Sequence, residues 1–153
     1  SNVDDKATLR RIIAALNRVS RKLPLIFPIH PRTRANMERF GLTFEPAIQL
    51  STPLSYMEFL NLWKDAAVIL TDSGGLQEES TALGVPCLTV RENTERPVTV
   101  SDGTNELVGT SEEKIVTSVD RVLAGIWKSG VRPKYWDGLA SERICDVLLG
   151  VTG

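Results

Sequence analysis

Apolar side chains first return at helical spacing. Leu9, Ile12, Ile13, Leu16 and Val19 are separated by Arg10, Arg11, Asn17 and Arg18. That period predicts an amphipathic helix of roughly four turns, ending near Lys22. The pattern then changes to a continuous apolar run over residues 23–29, which predicts a strand buried on both faces, its ladder shortened by Pro24 and Pro28. His30-Pro31 opens a polar segment in which residues 33–40 have helical composition and Gly41 supplies a stop. Residues 47–50 form the next strand candidate. Pro53 then precedes a helix lined by Leu54, Met57, Phe59, Leu60 and Trp63.

A short run of branched apolar residues, 66–70, predicts a buried strand, and residues 76–83 a helix closed by Gly84-Val85-Pro86. Residues 86–90 follow as a strand, then the polar loop 91–97. The last strand is expected at 106–109. Thr110 and Glu113 have capping-box spacing ahead of a helix bearing Ile115, Val116, Val119, Val122 and Leu123. A loop containing Gly130, Pro133, Tyr135, Trp136 and Gly138 leads to a final helix over 140–149.

Strands that alternate with helices and read as continuous apolar runs predict a parallel sheet covered on both faces, a doubly wound, Rossmann-like α/β fold. Such a domain usually opens on a central strand, whereas this chain opens on a helix, which marks it as a piece of a larger protein. Its 153 residues suffice for one domain. Formal net charge is −1, from 18 basic and 19 acidic residues, which excludes a non-specific nucleic-acid binder. Cys87 and Cys145 stand alone, as buried thiols in a reducing compartment would, and no metal-ligand spacing occurs. No membrane-spanning stretch or signal pattern is present, so the expected location is the cytoplasm.

The candidate chemistry centres on Thr71-Asp72-Ser73-Gly74-Gly75-Leu76-Gln77-Glu78-Glu79. A strand, a small-residue turn and a helix start are the parts of a phosphate cradle, with the Ser73 hydroxyl and free backbone amides as donors. The plain alternative is a turn that needs glycine's torsional freedom. Glu78 and Glu79 could complement the helix dipole or accept from ribose hydroxyls, and because adjacent helical residues diverge by about 100° only one can face a ligand. An arginine in the 91–97 loop could neutralise a diphosphate, against the alternative of a solvated charged loop. The residues 102–105 read as a turn. His30, the single histidine, reads as a hydrogen-bonded structural residue. Phe59 and Trp63, four apart, read as core, although an aromatic at a cleft edge could stack on a base.

The run 71–79, then Leu83-Gly84-Val85-Pro86, Arg91 with Thr94-Glu95-Arg96-Pro97, and Gly103-Thr104-Asn105 with Leu107-Val108-Gly109, resembles the non-hydrolysing UDP-N-acetylglucosamine 2-epimerases. Asn2-Val3-Asp4, Pro53-Leu54-Ser55-Tyr56 and Ser141-Glu142-Arg143-Ile144 extend the likeness over essentially the whole chain. Members have two Rossmann-like domains of the GT-B type with the active site between them, and this chain is similar to the carboxyl-terminal one only, making residues 1–153 a single UDP-binding domain. The resemblance implies elimination of UDP to a glucal-type intermediate and re-addition with inverted C2. UDP-N-acetylglucosamine and UDP-N-acetylmannosamine interconvert without a cofactor, in the service of cell-surface polysaccharide synthesis.

Carried over by position, the resemblance implies that Ser73, Gly74 and Gly75 contact the diphosphate, Glu79 the ribose, Phe59 the uracil, and Arg96 the phosphate or sugar. His30 matches a position that helps bind a second, regulatory UDP-sugar in some bacterial members. A strand ending in a Thr-His-Arg-type motif, which precedes the Asn-Val-Asp match in the family, is missing, as is the amino-terminal domain with most of the acid–base groups. No catalytic residue is therefore expected in this chain, its partners are a UDP-sugar and that missing domain, and the parent is expected to be a homodimer. Loss of a mid-sheet strand is expected to leave its neighbours' edges open. Two other functions fit a domain of this kind: a stand-alone nucleotide-sugar-binding or regulatory module, and a GT-B glycosyltransferase domain.

Overall fold

The computed structural model describes residues 2–150. Asp5, whose carboxylate accepts from Thr8 N at 2.7 Å, caps the first helix, α1 (Lys6–Ser20). Strand β1 (Leu25–Pro28) leads into α2 (Pro31–Phe40), which begins on Pro31 and stops at Gly41 in the left-handed conformation. Then follow β2 (Ile48–Ser51) and α3 (Tyr56–Trp63), the latter opened by a Ser55–Glu58 capping box. The second half runs β3 (Ile69–Thr71), α4 (Gly74–Leu83), β4 (Cys87–Thr89), α5 (Pro97–Ser101), β5 (Asn105–Leu107), α6 (Glu112–Leu123) and α7 (Ala140–Leu148). No helix among the described residues is long and apolar enough to cross a membrane.

All pairings are parallel, but the described strands form two sheets: β1 with β2, and β3–β4–β5 in that order. Leu25 of β1 and Leu70 of β3 pack against one apolar cluster, so these two strands are the edges that face each other. α2 lies on the same side as α1, where Met37 meets Leu9 and Ile13. α4 lies on the opposite side, against β3, β4 and β5. Crossovers between parallel strands are right-handed, so helices on opposite faces mean that the chain winds outward in opposite directions from a point between β1 and β3. That is the topological switch point, beside which open α/β sheets bind their ligands. Residues 2–4 run across the carboxyl edges there, with Asn2 Nδ2 donating to Val90 O at 2.6 Å and Asn36 Nδ2 to Val3 O at 2.9 Å.

Several expectations need correction. The run 23–29 yields a strand only from Leu25, and it is covered on one face: Leu25 and Phe27 point into the core while Ile26, on the other face, is 46% exposed. β4 is the strand that is buried throughout. The capping residue of α6 is Ser111, accepting from Lys114 N, one position after Thr110. The turn expected over 102–105 ends early, since Asn105 already belongs to β5. α5 was not expected at all. Cys87 is buried but Cys145, on α7, is exposed, because no residue of α7 is buried and Ile144, Val147 and Leu148 all point outward.

A thiol reagent should therefore modify Cys145 in the native chain and spare Cys87, whose thiol burial pushes up to about 11. Denaturation should release the second equivalent. Two reactive thiols in the native chain would contradict the burial of β4.

Candidate functional site

The site is built on the passage from β3 to α4. Ser73 N donates to Thr71 Oγ1 at 3.0 Å, which turns the chain out of the strand. Ser73 then takes the extended torsions of an N-cap, yet its hydroxyl makes no capping bond. The first backbone amide of α4 with a helical acceptor is that of Gln77, to Ser73 O at 3.4 Å. The amides of Gly74, Gly75 and Leu76 are thus the donors a helix start leaves unpaired, at the positive end of the dipole. No acidic side chain occupies this first turn.

Neither glycine is there for torsional reasons. Both fall outside the positive-φ set that holds Gly41, Gly84 and Gly109. A Cβ on Gly74 would meet nothing within 4 Å, and one on Gly75 only Ser73 Oγ at 3.9 Å. The chain itself would accept a side chain at either position. Glycine here leaves the amides unobstructed.

Glu78 and Glu79 come a turn later and diverge as helical neighbours must. Glu78 Oε1 pairs with Arg96 Nε at 2.9 Å, with both side chains roughly two-fifths exposed. Glu79 is half-buried and makes no ion pair or hydrogen bond with the described residues. The expected dipole role fits neither glutamate, since both lie beyond the first turn. Arg96 is the N-cap of α5, which starts on Pro97, and Arg91 is engaged by Glu95 at 3.0 Å. Of the two arginines, Arg96 is the one held against α4.

Phe59 is half-buried and packs on the cluster of Trp63, Ile69, Leu76 and Val85, to which the first turn of α4 contributes Leu76. Ser73, Gly74 and Gly75 thus open α4, Glu79 lies further along the same helix, Arg96 pairs with its Glu78, and Phe59 packs on the cluster that includes its Leu76. His30 is not among them. It follows β1, on the other lip of the switch point, and caps α2 by accepting from Arg32 N through Nδ1 at 3.2 Å. No group of three or more His, Cys, Asp or Glu among the described residues is placed to hold a metal ion.

What the sequence pattern did not reveal is a buried polar network under Arg96, made by Gln77, Thr89, Asn105 and Thr99, all fully buried. The signal was Pro97 followed by Val98 and Val100, the start of a short helix that turns Thr99 inward.

A family model described as UDP-N-acetylglucosamine 2-epimerase matches residues 1–149. The Methanococcus maripaludis UDP-N-acetylglucosamine 2-epimerase is 39% identical over 97% of this chain and 42% of its own length. The Pseudomonas aeruginosa UDP-2,3-diacetamido-2,3-dideoxy-D-glucuronate 2-epimerase is also 39% identical, over 96% of this chain and 41% of its own. Among solved structures, the Methanocaldococcus jannaschii UDP-GlcNAc 2-epimerase in complex with UDP-GlcNAc and UDP superposes with a TM-score of 0.83 at 40% identity, covering 97% of this chain and 42% of that one. The chain thus spans about two-fifths of the relatives it matches.

The open space at Gly75 gives a direct test. Gly75→Ala should leave the thermal midpoint unchanged or raise it, by at most the ~1 kcal/mol that alanine gains over glycine in a helix. A lowered midpoint would show that the chain itself requires the glycine.

Proposed function

This chain belongs to the UDP-N-acetylglucosamine 2-epimerase family, and we propose that it is the carboxyl-terminal half of such an enzyme, the half that grips UDP. The observation that carries this reading is the pair of glycines at the start of α4, which bare backbone amides that none of the described residues uses. The two relatives of equal identity are named for different sugars on the same nucleotide, so what they have in common is UDP. The full domain is a doubly wound, Rossmann-like unit of the GT-B type, and the break between β1 and β3 is the place of one further parallel strand.

Gly74, Gly75 and Leu76 would donate their amides to the diphosphate, with Ser73 adding its uncommitted hydroxyl. Arg96 would exchange Glu78 for a phosphate oxygen. Glu79, without a hydrogen-bond or ion-pair partner among the described residues, would accept from the ribose hydroxyls, and Phe59 would lie against uracil with its exposed side. His30, whose capping bond leaves Nε2 available, is the group for a second UDP-sugar at the far lip.

The reaction removes the proton from C2 of the sugar and breaks the bond from C1 to the UDP oxygen, leaving a C1=C2 double bond; return of both on the opposite sense at C2 gives the epimer. Negative charge grows on the departing diphosphate. Amides and a guanidinium fixed beforehand around those oxygens stabilise that charge without reorganising. The proton transfers at C2 belong to the other half of the enzyme.

Calorimetry tests the grip. The chain should bind UDP, and Glu79→Ala should weaken it about tenfold or more, the loss expected for hydrogen bonds to a charged group. Gly75→Ala should weaken it too while remaining as stable as the parent. Absence of UDP binding, or equal binding by Glu79→Ala, would sink the assignment. Mixing with the amino-terminal half should yield epimerisation, and activity of this chain alone would overturn the half-site reading.

A further inference from the structure

Arg96 sits on an exposed loop, and a guanidinium on a loose loop binds an anion poorly because its order must be established on binding. The hydrogen bonds beneath it form a directed set. Thr89 Oγ1 donates to Asn105 Oδ1 at 2.7 Å. Asn105 Nδ2 donates both to Gln77 Oε1 at 3.2 Å and to Thr99 Oγ1 at 3.0 Å. Thr99 Oγ1, its lone pair occupied by Asn105, donates to Arg96 O at 2.7 Å. On the other side of the loop, Thr94 Oγ1 donates to Gln77 Oε1 at 2.6 Å and accepts from Arg96 N at 3.0 Å.

The backbone of Arg96 is therefore held at both its polar atoms: Thr94 ties its N–H to Gln77, and Thr99, whose own N–H also donates to Arg96 O at 3.0 Å, ties its carbonyl to Asn105. Gln77 is the residue next to the bare amides on α4, and Asn105 opens β5. Gln77 spends its side-chain oxygen on two donors and leaves Nε2 without a partner among the described residues. A buried orphan donor is a cost that core packing alone would remove with an apolar residue. Gly103 supports the arrangement from outside, since a Cβ there would lie 2.4 Å from Thr81 Oγ1 and 2.7 Å from Thr99 O, so only glycine lets the turn before β5 close over α4 and α5.

We propose that Thr99, Thr94, Gln77 and Asn105 are positioning residues that hold Arg96 in register with the α4 amides, so that guanidinium and helix start engage one diphosphate together. The inference rests on the UDP reading above and adds how its cationic group is aimed. None of the four needs to touch the ligand. Their effect is confined to the phosphate end, because no hydrogen bond of this set reaches Phe59 or Glu79.

The test compares UDP with uridine, which lacks the phosphates, on the chain and on Thr99→Val, Thr99→Ser and Thr94→Val. Thr99→Val keeps the shape and removes the hydroxyl, Thr99→Ser restores it, and Thr94→Val cuts the second clamp at a half-buried site. Thr99→Val and Thr94→Val should each weaken UDP about tenfold and leave uridine within about twofold, as loss of one aimed ionic contact does. Thr99→Ser should match the parent. Equal loss for both ligands, or no loss for UDP, would overturn the proposal. A ligand-free readout separates it from the UDP reading: the Arg96 amide should exchange faster in Thr94→Val than in the parent. If the parent binds no UDP, the UDP reading falls. Unchanged exchange of that amide removes the clamp itself.

Discussion

The two sheets are joined by no ladder among the described strands, so their relative placement depends on how α1 packs. Successive turns of that helix serve different cores. Leu9 and Ile13 bury against Ile29 and Met37 beside β1 and α2. Ala15 and Val19 bury with Leu88, Val90, Val108 and the apolar face of α6. A fully buried aliphatic side chain of this size contributes about 1.5–3 kcal/mol, so a few positions on one helix outweigh its surface contacts. Arg18, which reaches Glu112 at 3.0 Å and Glu113 at 3.1 Å, and Lys22, which reaches Asp120 at 2.5 Å, orient α1 on α6 more than they stabilise it. Because α1 spans both halves, it fixes the distance between the loop after β1 and the loop after β3. The two lips of the switch point are set by an apolar stripe far from either.

How legible all this was in the sequence follows from the range of each interaction. α1 and α6 could be read from their period, because a helix that buries one face writes that face every three or four residues. The parallel alternation could be read as well. β1 could not be placed correctly, because an apolar run looks the same whether both faces find cover or only one. Ile26 and Leu88 are equivalent in the sequence and differ by what lies opposite them. The α6 cap slipped by one residue because Thr110 and Ser111 both offer a hydroxyl. The network under Arg96 was out of reach for a different reason. Asn105 looks like a turn residue by type and can be buried because Thr89, sixteen residues away, supplies a donor and Gln77 and Thr99 supply acceptors.

Glycines separate the site from the scaffold. Gly109 has a left-handed φ of 62°, and a Cβ on it would come within 2.3 Å of Glu92 Oε1. Gly103 is hemmed in by Thr81 and Thr99. These are glycines that the fold itself demands. Gly74 and Gly75 have ordinary torsions and empty space around them, and they lower the propensity of a helix that needs stability at its start. A residue type that costs stability and satisfies no internal need is best explained by contact with something outside the chain. The sequence could not make this distinction, since it shows all four simply as glycine.

Glu78 completes the electrostatic account. A guanidinium aimed at a helix start faces the positive end of the dipole, and without an anion between them the two repel. The Glu78 carboxylate, one turn along α4, occupies Arg96 in the meantime. An ion pair this exposed adds little to stability, so its rupture is an inexpensive step. On the proposed reading, a diphosphate entering between Arg96 and the amides would offer both of them a better partner than either has alone, with more charge and more acceptor oxygens. On that reading Glu78, for which the sequence offered dipole compensation or a ribose contact, would hold the arginine weakly enough to release it, while the proposed clamp at Thr94 and Thr99 would keep the backbone in place as the side chain changes partner.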